Sequence, residues 1–348
     1  MNAVEKHSPP KEMKTFSFII CSRNDQHGGN SLWRLETTLN FLAFSANKTV
    51  GLDSVEILVC DWGSRHPIRK SVALTAEAVK ITRFIEVPPP IANEAEGDST
   101  FAEVFANNVA IRRATGQFIG RIDQDTLVGE EFFLNFYRFT AETTEPSIQT
   151  AVMFVGRRSI PFSFASRSPN FEKVRGLIEM YGRWLPREGI TQAPWFDAPV
   201  GIILMHRNLW HVCRGYDQSL KYWGFMETDL ILRLLPYYHV LKLENQIGCH
   251  FYHLSHSKKS LGVTSRRKNK RIYPTEIAPN SCDWGMQYID FELHSANVLA
   301  AQKARDPPRR KSICFSVAAE WSWHFFRSLL CWIRRLLMGP RIELGRTK

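Results

Sequence analysis

The sequence predicts an α/β fold in which a mostly parallel central sheet is flanked by helices. Short apolar runs rich in β-forming residues occur at 16–21, 55–60 and 118–122, and such runs are typical of strands buried on both faces. Segments with helical spacing lie between them, which gives the alternating order of a parallel sheet. Each run ends in polar residues, so we expect a ligand site at the carboxyl edge of the sheet.

The first half of the chain repeats this alternation. Ser31 is a plausible N-cap for a helix that carries Leu35 and Leu39 on one face. Further along we expect a helix at 71–80, a strand at 81–87, a loop at 88–90 and a helix at 101–114. The Gly-rich loop of P-loop and dinucleotide-binding proteins is missing from this pattern, so basic side chains or a metal would have to neutralise any bound phosphate.

The second half is more mixed. The pattern predicts strands at 148–155, 200–205 and 240–244, and helices at 171–184 and 207–213. Another helix follows Trp223 and Gly224 and carries a run of leucines. This half therefore continues the α/β pattern less regularly.

Two carboxylates follow the third apolar run. Asp123 and Asp125 have one residue between them, and side chains two apart on an extended segment point the same way. Converging carboxylates are costly unless a positive group lies between them, and a hard divalent cation takes oxygen ligands of this kind. The alternative is a strand end whose acids are simply solvated. The other motifs of the chain have to distinguish between a metal site and a solvated strand end.

Two more acids, Glu227 and Asp229, lie at the start of the leucine-bearing helix. One interpretation gives them a catalytic role. The other is that the helix macrodipole favours negative charge at a helix N-terminus, with no catalytic duty.

Three histidines recur at a spacing of three, at His250, His253 and His256. In an extended or turn segment this spacing does not put all three on one face. One or two of them are candidates for metal binding, because neutral imidazole is a common ligand. A packed or surface histidine is the alternative.

The charge and the cysteines narrow the class of protein. Lys and Arg number 45 against 34 Asp and Glu, giving a net charge of +11, which favours an anionic partner such as a phosphate-bearing substrate or an acidic lipid surface. The seven cysteines lack any Cys-x-x-Cys pair and predict reduced thiols. The polar N-terminus shows no secretory signal, which predicts a cytoplasmic protein.

Five blocks of sequence resemble the GT-A glycosyltransferases, in particular the inverting family 2 enzymes that use nucleotide-diphosphate sugars. They are Cys21-Ser22-Arg23-Asn24, LVCDWGS around Asp61, NNVAIRRATGQFIGRIDQD, YWGFMETD and YHLSH. The blocks occur in the family's order over residues 15–260. The chain departs from the family pattern at Trp62, Asn107, Ala110 and Met226.

The resemblance implies a GT-A type nucleotide-binding sandwich and a role for each matching residue. Glu227 would be the general base, with Asp229 as a second catalytic acid, and the metal would be Mn²⁺ or Mg²⁺. The implied metal ligands are Asp125, Asp123, His253 and His256. The implied donor-binding residues are Ser22, Arg23, Asp61, Asn108, Arg121 and Asp123.

The resemblance also suggests how the chain is divided. We predict a disordered tail at 1–14, a nucleotide-sugar-binding half at 15–127, an acceptor-binding and catalytic half at 128–300, and a basic amphipathic tail at 301–348. Residues 256–273 are rich in Lys and Arg. They predict either a solvated surface loop or a segment that folds over the donor diphosphate.

A helix with a wide apolar face and an Arg-bearing stripe is predicted at 315–338. Its charges rule against a transmembrane span, and its pattern favours a helix lying in the membrane interface. The alternative is a helix packed on the core or on a second subunit.

The resulting hypothesis is a metal-dependent inverting glycosyltransferase at the cytoplasmic face of a membrane. Its partners would be a nucleotide-diphosphate sugar donor, a glycan or lipid-linked acceptor and the membrane surface, with no nucleic acid. One alternative is a sugar-1-phosphate nucleotidyltransferase, although SRNDQHGGN is a poor match to the basic loop which that chemistry needs. Others are a catalytically inactive, transferase-like membrane adaptor and a nucleic-acid adaptor.

Overall fold

The structure is a computed structural model that describes residues 15–143, 147–193, 196–257, 268–269 and 276–296. The predicted tail at 1–14, the amphipathic segment at 315–338 and most of the basic segment at 256–273 lie outside these ranges. Within them, no helix combines the length and apolar composition needed to cross a membrane.

The first half alternates strands and helices as predicted. Its elements are β1 (Phe16–Ser22), α1 (Ser31–Thr49), β2 (Val55–Trp62), α2 (Ala76–Ile81), β3 (Thr82–Val87), α3 (Pro89–Glu96), α4 (Glu103–Arg113), β4 (Phe118–Ile122), β5 (Thr126–Val128) and α5 (Phe132–Glu142).

The prediction of a loop at 88–90 is wrong, because α3 begins at Pro89. Proline is well suited to the first positions of a helix, where its missing N–H would have no partner inside the helix. The Pro run therefore starts a helix where the sequence pattern suggested a break.

The second half contains shorter elements. They are β6 (Ala151–Val155), β7 (Arg158–Ile160), α6 (Phe162–Ala165), α7 (Phe171–Tyr181), β8 (Ile190–Ala193), β9 (Phe196–Ala198), β10 (Ile202–His206), α8 (Arg207–Val212), α9 (Met226–Leu234), β11 (His239–Lys242), α10 (Leu243–Ile247), β12 (Phe251–Leu254) and β13 (Leu293–Ser295).

A large central sheet flanked by helices confirms the predicted α/β fold. Its eight strands run in the order β11-β6-β10-β4-β1-β2-β3-β13. Strands β3, β2, β1 and β4 are parallel, whereas β10 is antiparallel to both β4 and β6, and β13 is antiparallel to β3. The sheet takes strands from both predicted halves, and the division at residue 127 stays a prediction.

Apolar side chains cover both faces of this sheet. Helices α1, α2 and α5 contribute to the core on one face, through residues such as Leu35, Ala78 and Phe133. Helices α4, α8 and α9 contribute to the other, through residues such as Val109 and Leu230. Burial on both faces explains why the strands read as continuous apolar runs.

A second, three-stranded sheet in the order β5-β12-β7 lies next to the carboxyl edge of β4. Strand β5 begins at Thr126, directly after Asp125, and it pairs with β12 in a register that sets Thr126 opposite His253. The backbone N–H of Leu254 donates to the carbonyl of Asp125 at 2.9 Å. This pairing fixes the histidine segment beside the two aspartates.

Candidate functional site

The two aspartates lie in a turn between β4 and β5, not on an extended strand as expected. The N–H of Asp123 donates to the carbonyl of Gly201 at 3.1 Å, and the N–H of Thr126 donates to the carbonyl of Asp123 at 3.0 Å. Both carboxylates nevertheless reach one group, because Nη1 of Arg157 lies 2.8 Å from Oδ2 of Asp123 and 3.4 Å from Oδ1 of Asp125. The turn therefore brings the carboxylates of Asp123 and Asp125 to the same guanidinium, that of Arg157.

Asp125 forms a compact group with two of the three histidines. Its Oδ2 lies 3.6 Å from Nε2 of His253 and 3.4 Å from Nε2 of His256. The three residues each offer a ligand atom, and these atoms lie within 4.8 Å of one another. One carboxylate and two imidazoles are a donor set that fits a divalent cation. His250 is placed elsewhere, beside Arg158 and Arg187.

His256 approaches Asp125 only because Gly28 leaves room for it. Gly28 follows β1 with φ of +67°, and a Cβ added there would lie 2.6 Å from Nδ1 of His256. The N–H of Ser257 also donates to the carbonyl of Gly28 at 3.2 Å. The loop after β1 and the histidine segment are thus fitted to each other.

Electrostatics favour an ionised Asp125. Burial raises its pKa, but His253, Arg157 and His256 outweigh burial and hold the pKa of Asp125 well below its usual range. Burial lowers the pKa of His253, yet Asp125 and Glu188 raise it overall. Burial lowers the pKa of His256. The group therefore combines a carboxylate, which is always available, with imidazoles that must lose any proton before binding a metal.

Asp123 is engaged differently. Its Oδ1 pairs with Arg121 and its Oδ2 with Arg157. Burial raises the pKa of Asp123, although both arginines lower it. Each of its oxygens already contacts a guanidinium, and Asp123 does not belong to the group whose ligand atoms lie within 4.8 Å of one another. The structure places it beside the metal-capable group, not within it.

Glu227 joins this cluster through Arg121. Arg121, on β4, is 1% exposed and pairs with both Asp123 and Glu227, while its Nη2 lies 4.0 Å from Oε1 of Glu103. Burial alone would lower the pKa of Arg121, but these carboxylates, Asp123 foremost, raise it well above its ordinary value. The sequence resemblance assigned Arg121 to the donor, whereas here it lies among acids and links the first turn of α9 to the turn after β4.

Glu103 is an acid that sequence reasoning missed. It lies in the first turn of α4 and shares Arg121 with Asp123 and Glu227. Burial raises the pKa of Glu103 to about 8, with Arg121 opposing the rise and the two other acids adding to it. The only sequence signal of Glu103 was an acid at a helix N-terminus, which is a common and uninformative feature.

Two other predicted site residues have structural partners. Asp229 is buried, and its Oδ2 accepts from Nε of Arg233 at 2.8 Å within α9. Asn108 is also buried: its Oδ1 accepts from the N–H of Tyr216 and its Nδ2 donates to the carbonyl of Tyr216, both at 2.8 Å. Asp229 thus pairs within its own helix, and Asn108 fixes the turn at Tyr216.

The ends of β1 and β2 are tied together. Oγ of Ser22 donates to Oε1 of Gln124, between the two aspartates, at 2.6 Å. Arg23 donates to the carbonyls of Trp62 and Thr100 at 2.8 and 2.9 Å and pairs with Glu96. Ser22 therefore contacts the Asp123–Asp125 turn, while Arg23 joins β2 to the helices that follow.

Asp61 borders an open cavity of about 440 Å³ at the carboxyl ends of β2 and β3. Its Oδ2 accepts from the N–H of Ile68 at 2.7 Å. Burial raises the pKa of Asp61 to about 6, although Ser64 and Ile68 lower it. The cavity is also lined by acidic, apolar and imidazole side chains, including Glu86, Pro89, Ile91, Phe291, Asp290 and His294.

Arg34, Arg157 and Glu188 were not predicted. Arg34 of α1 is buried, with Nε 3.8 Å from Oδ2 of Asp125. Arg157 lies just after the carboxyl end of β6, as the predicted site residues lie after β1, β2 and β4. The expectation of a site at the carboxyl ends of the strands would therefore have included it. Glu188 lies beside both Arg157 and His253. It has no comparable signal in the sequence.

The comparisons with known proteins add little to this geometry. No protein-family model matches the sequence, and no curated protein matches it significantly. Among solved structures, the chain is similar to S. aureus TarS.

One crystal structure of TarS is 16% identical over 60% of this chain and 31% of its own, with a TM-score of 0.34. TarS 1-349 in complex with UDP is 15% identical over 63% of this chain and 54% of its own, with a TM-score of 0.36. The complex with UDP-GlcNAc is 16% identical over 56% and 46%, with a TM-score of 0.31. This chain spans about a third to about half of those chains, so its function is argued from its own residues.

The site extends along one edge of the sheet. The metal-capable group follows β4, and the cavity at Asp61 follows β2, with β1 between them. Strands β4 and β2 are two strand spacings apart, about 10 Å. A ligand with an anionic part and a neutral, hydrogen-bonding part could therefore contact both.

Proposed function

We propose that this protein is a metal-dependent, inverting glycosyltransferase that uses a nucleotide-diphosphate sugar. The observation that carries the proposal is the grouping of Asp125, His253 and His256 at the carboxyl edge of parallel strands. The acid Glu227 is linked to this group through Arg121, Asp123 and Arg157. The motif resemblance in the same residues supports it.

The residues present fit a divalent cation. Asp125, His253 and His256 would hold it, and its charge would stabilise the diphosphate that leaves the donor. Asp123 would remain paired with Arg121 and Arg157 and would act through these contacts.

Glu227 is the proposed general base. Its carboxylate would accept the proton of the acceptor hydroxyl while that oxygen attacks the anomeric carbon and the bond to the diphosphate breaks. A positioned base contributes about 10²- to 10⁴-fold in rate. Arg121 holds this carboxylate at a fixed place relative to Asp123, and the rest of the side chain stays accessible, with Glu227 23% exposed.

The cavity beside Asp61 suits the nucleoside part of the donor. Carboxylates such as Asp61 and Glu86 accept hydrogen bonds from a base N–H or from ribose hydroxyls, and Pro89 and Phe291 offer apolar contact. The acids there would repel a phosphate. The diphosphate would instead lie toward the metal-capable group, where Arg34 and Arg157 add positive charge.

We further propose that the acceptor is a glycan or a lipid-linked glycan, reached from the cytoplasmic face of a membrane. The support is the sequence pattern of residues 315–338, whose apolar face and Arg stripe favour a helix in the membrane interface.

Donor binding and turnover test the proposal. Purified protein is incubated with UDP-, GDP- and dTDP-sugars, with Mn²⁺, with Mg²⁺ or with chelator. Asp125→Ala and Glu227→Gln are compared with Asp53→Ala and Glu179→Gln, which change exposed acids in surface ion pairs.

We expect one donor to bind only with metal, Asp125→Ala to abolish that binding, and Glu227→Gln to bind without turning over. The two control variants should behave as the wild type. If no donor binds with any metal, the catalytic proposal is overturned, and a non-catalytic membrane adaptor becomes the leading hypothesis.

A further inference from the structure

Glu188 lies between two residues of the candidate metal centre. Its Oε1 is 2.9 Å from Nδ1 of His253, and its Oε2 is 3.2 Å from Nε of Arg157. Its backbone N–H also donates to the carbonyl of Arg157 at 2.7 Å. At 18% exposure, this carboxylate is mostly shielded from water and faces both partners at once.

The two nitrogens of His253 face different groups. Nε2 lies toward Oδ2 of Asp125, and Nδ1 lies toward Glu188. A neutral imidazole has one N–H and one lone pair, and a carboxylate beside one nitrogen stabilises the proton there. Glu188 therefore favours the form of His253 whose Nε2 lone pair points toward Asp125.

Arg157 is the second partner of Glu188. Nη1 of Arg157 contacts Oδ2 of Asp123, Oδ1 of Asp125 and Oγ1 of Thr126, at 2.8, 3.4 and 2.9 Å. Its Nε faces Glu188, so the guanidinium is held on both sides. This arrangement keeps Arg157 on Oδ1 of Asp125, while Oδ2 faces the histidines.

We propose that Glu188 is a positioning residue of the metal centre, which orients His253 and Arg157 so that Asp125, His253 and His256 present one set of ligand atoms. This inference rests on the proposed function to the extent that the centre binds a metal. Carboxylates that accept from a metal-binding histidine commonly act in this way, and their loss costs about 10- to 100-fold in metal affinity.

The first test uses the metal alone, without donor. Mn²⁺ binding to the full chain is measured by calorimetry, and Co²⁺ binding by its visible absorption, for the wild type, Glu188→Ala, Glu188→Gln and the control Glu179→Ala. Glu179 pairs with Arg175 on the surface, so its variant also removes an ion pair. Thermal unfolding of each apo-protein is recorded separately.

We expect Glu188→Ala to bind Mn²⁺ about 10- to 100-fold more weakly and to change the Co²⁺ spectrum. Glu188→Gln should retain part of the affinity, because its amide oxygen still accepts from Nδ1 of His253 whereas its NH₂ group does not pair with Arg157. Glu179→Ala should match the wild type. Equal Mn²⁺ affinity in the wild type and Glu188→Ala would overturn the inference and leave the metal centre standing.

A second measurement reads the tautomer of His253 in the wild-type protein. The ¹⁵N shifts of the His253 ring in the wild type, assigned by comparison with His253→Asn, should show the proton on Nδ1 when the ring is neutral. A proton on Nε2 contradicts the positioning role. A wild type that binds neither Mn²⁺ nor Co²⁺ overturns the proposed metal centre together with this inference.

Discussion

Arg157 contacts Asp125 on a different carboxylate oxygen from the one that faces the histidines. Nη1 of Arg157 lies 3.4 Å from Oδ1, and the Nε2 atoms of His253 and His256 lie 3.6 and 3.4 Å from Oδ2. The carboxylate of Asp125 thus pairs with the guanidinium of Arg157 through one oxygen and faces the histidines with the other. Asp123, in contrast, gives both oxygens to arginines.

This difference predicts unequal effects of two matched substitutions on metal affinity. Asp125→Asn should weaken Mn²⁺ binding by at least about 100-fold. Removing a residue that only contacts a metal ligand already lowers metal affinity by about 10- to 100-fold. Asp123→Asn should weaken Mn²⁺ binding by less than about tenfold, because Asp123 is linked to the metal-capable group only indirectly, through Arg157. Calorimetric titration with Mn²⁺ measures both, with Asp53→Asn as the control. Equal losses would show that Asp123 is itself a ligand.

The donor set predicts which metals bind. Two imidazoles and one carboxylate favour transition metals over Mg²⁺, which prefers oxygen ligands throughout. We expect Mn²⁺ and Co²⁺ to bind more tightly than Mg²⁺. In His253→Ala, the difference in affinity between these metals and Mg²⁺ should be smaller. Competition titrations measure the ranking. Mg²⁺ binding as tight as Mn²⁺ binding and insensitive to His253→Ala would place the ion elsewhere.

Arg121 should be essential for stability as well as for site geometry. Arg121 is buried, whereas Asp123, Glu227 and Glu103 are 23 to 29% exposed, so Arg121→Met leaves partly exposed carboxylates without this cation. We expect the loss of unfolding free energy to lie below about 3–5 kcal/mol, the cost that is typical of breaking a fully buried pair. Urea denaturation measures the loss.

The double variant Arg121→Met/Glu227→Gln should recover part of that loss, since it removes one of the unpaired charges. Arg175→Met, which removes a partly exposed arginine from surface ion pairs, should change the unfolding free energy by less than about 1 kcal/mol. A double variant no more stable than Arg121→Met would mean that Glu227 does not depend on Arg121.

Asp61 should lower stability at neutral pH. Its pKa is about 6 in the fold against an ordinary 3.8, so the folded protein holds this proton more tightly than the unfolded chain. The resulting stabilisation is fully present below about pH 4 and is lost as pH rises to about 6. The difference between the two pKa values corresponds to about 3 kcal/mol.

Asp61→Asn removes this dependence and keeps an oxygen that can accept from the N–H of Ile68. We expect the variant to be more stable than the wild type at pH 7, by up to about 3 kcal/mol, and no more stable at pH 4. Urea denaturation across this range tests the prediction, and an unchanged difference between the proteins from pH 4 to 7 would contradict it. The proposed donor role predicts weaker nucleotide binding in the same variant.

Asn269 should control the placement of Glu227. Its Nδ2 donates to the carbonyls of Tyr222 and Gly224 at 2.8 Å, and its Oδ1 accepts from the N–H of Tyr222 at 3.1 Å. This turn leads into Phe225, whose φ of 72° is unusual for a residue other than glycine, and then into α9. Asn269→Ala should therefore lower kcat more than it changes the KM of the donor.

Asn280 provides a matched control for Asn269. It is also buried and fixes a different turn through Arg214, Tyr216 and Gln218, at 2.6 to 3.0 Å. Both alanine variants should lose about 1–3 kcal/mol of stability. At a similar loss of stability, only Asn269→Ala should also lower kcat. Equal kcat values in the two variants would leave Asn269 with a purely structural role.

Local patterns in the sequence predict the class of fold and the edge of the sheet at which the candidate residues lie. Continuous apolar runs such as 118–122 require burial on both faces, and the polar residues after them are left at the strand ends. The same logic singled out Asp123 and Asp125 as candidates, whereas His253 and Glu227 became candidates through the histidine spacing, the start of a helix and the family resemblance. Such features can be predicted locally, because the alternation of side chains and the ends of strands depend on residues that are adjacent in the sequence.

Which of these candidates come into contact follows from the packing of distant segments. The pairing of β5 with β12 sets Asp125 beside His253 across more than a hundred residues, and Gly28 leaves room for His256. Arg157 follows a strand end, but Glu188 has no local pattern, and nothing in the sequence joins either residue to the histidines. Ion pairs of this kind depend on distances between elements, which follow from sheet register and packing and not from the periodicity of any one segment.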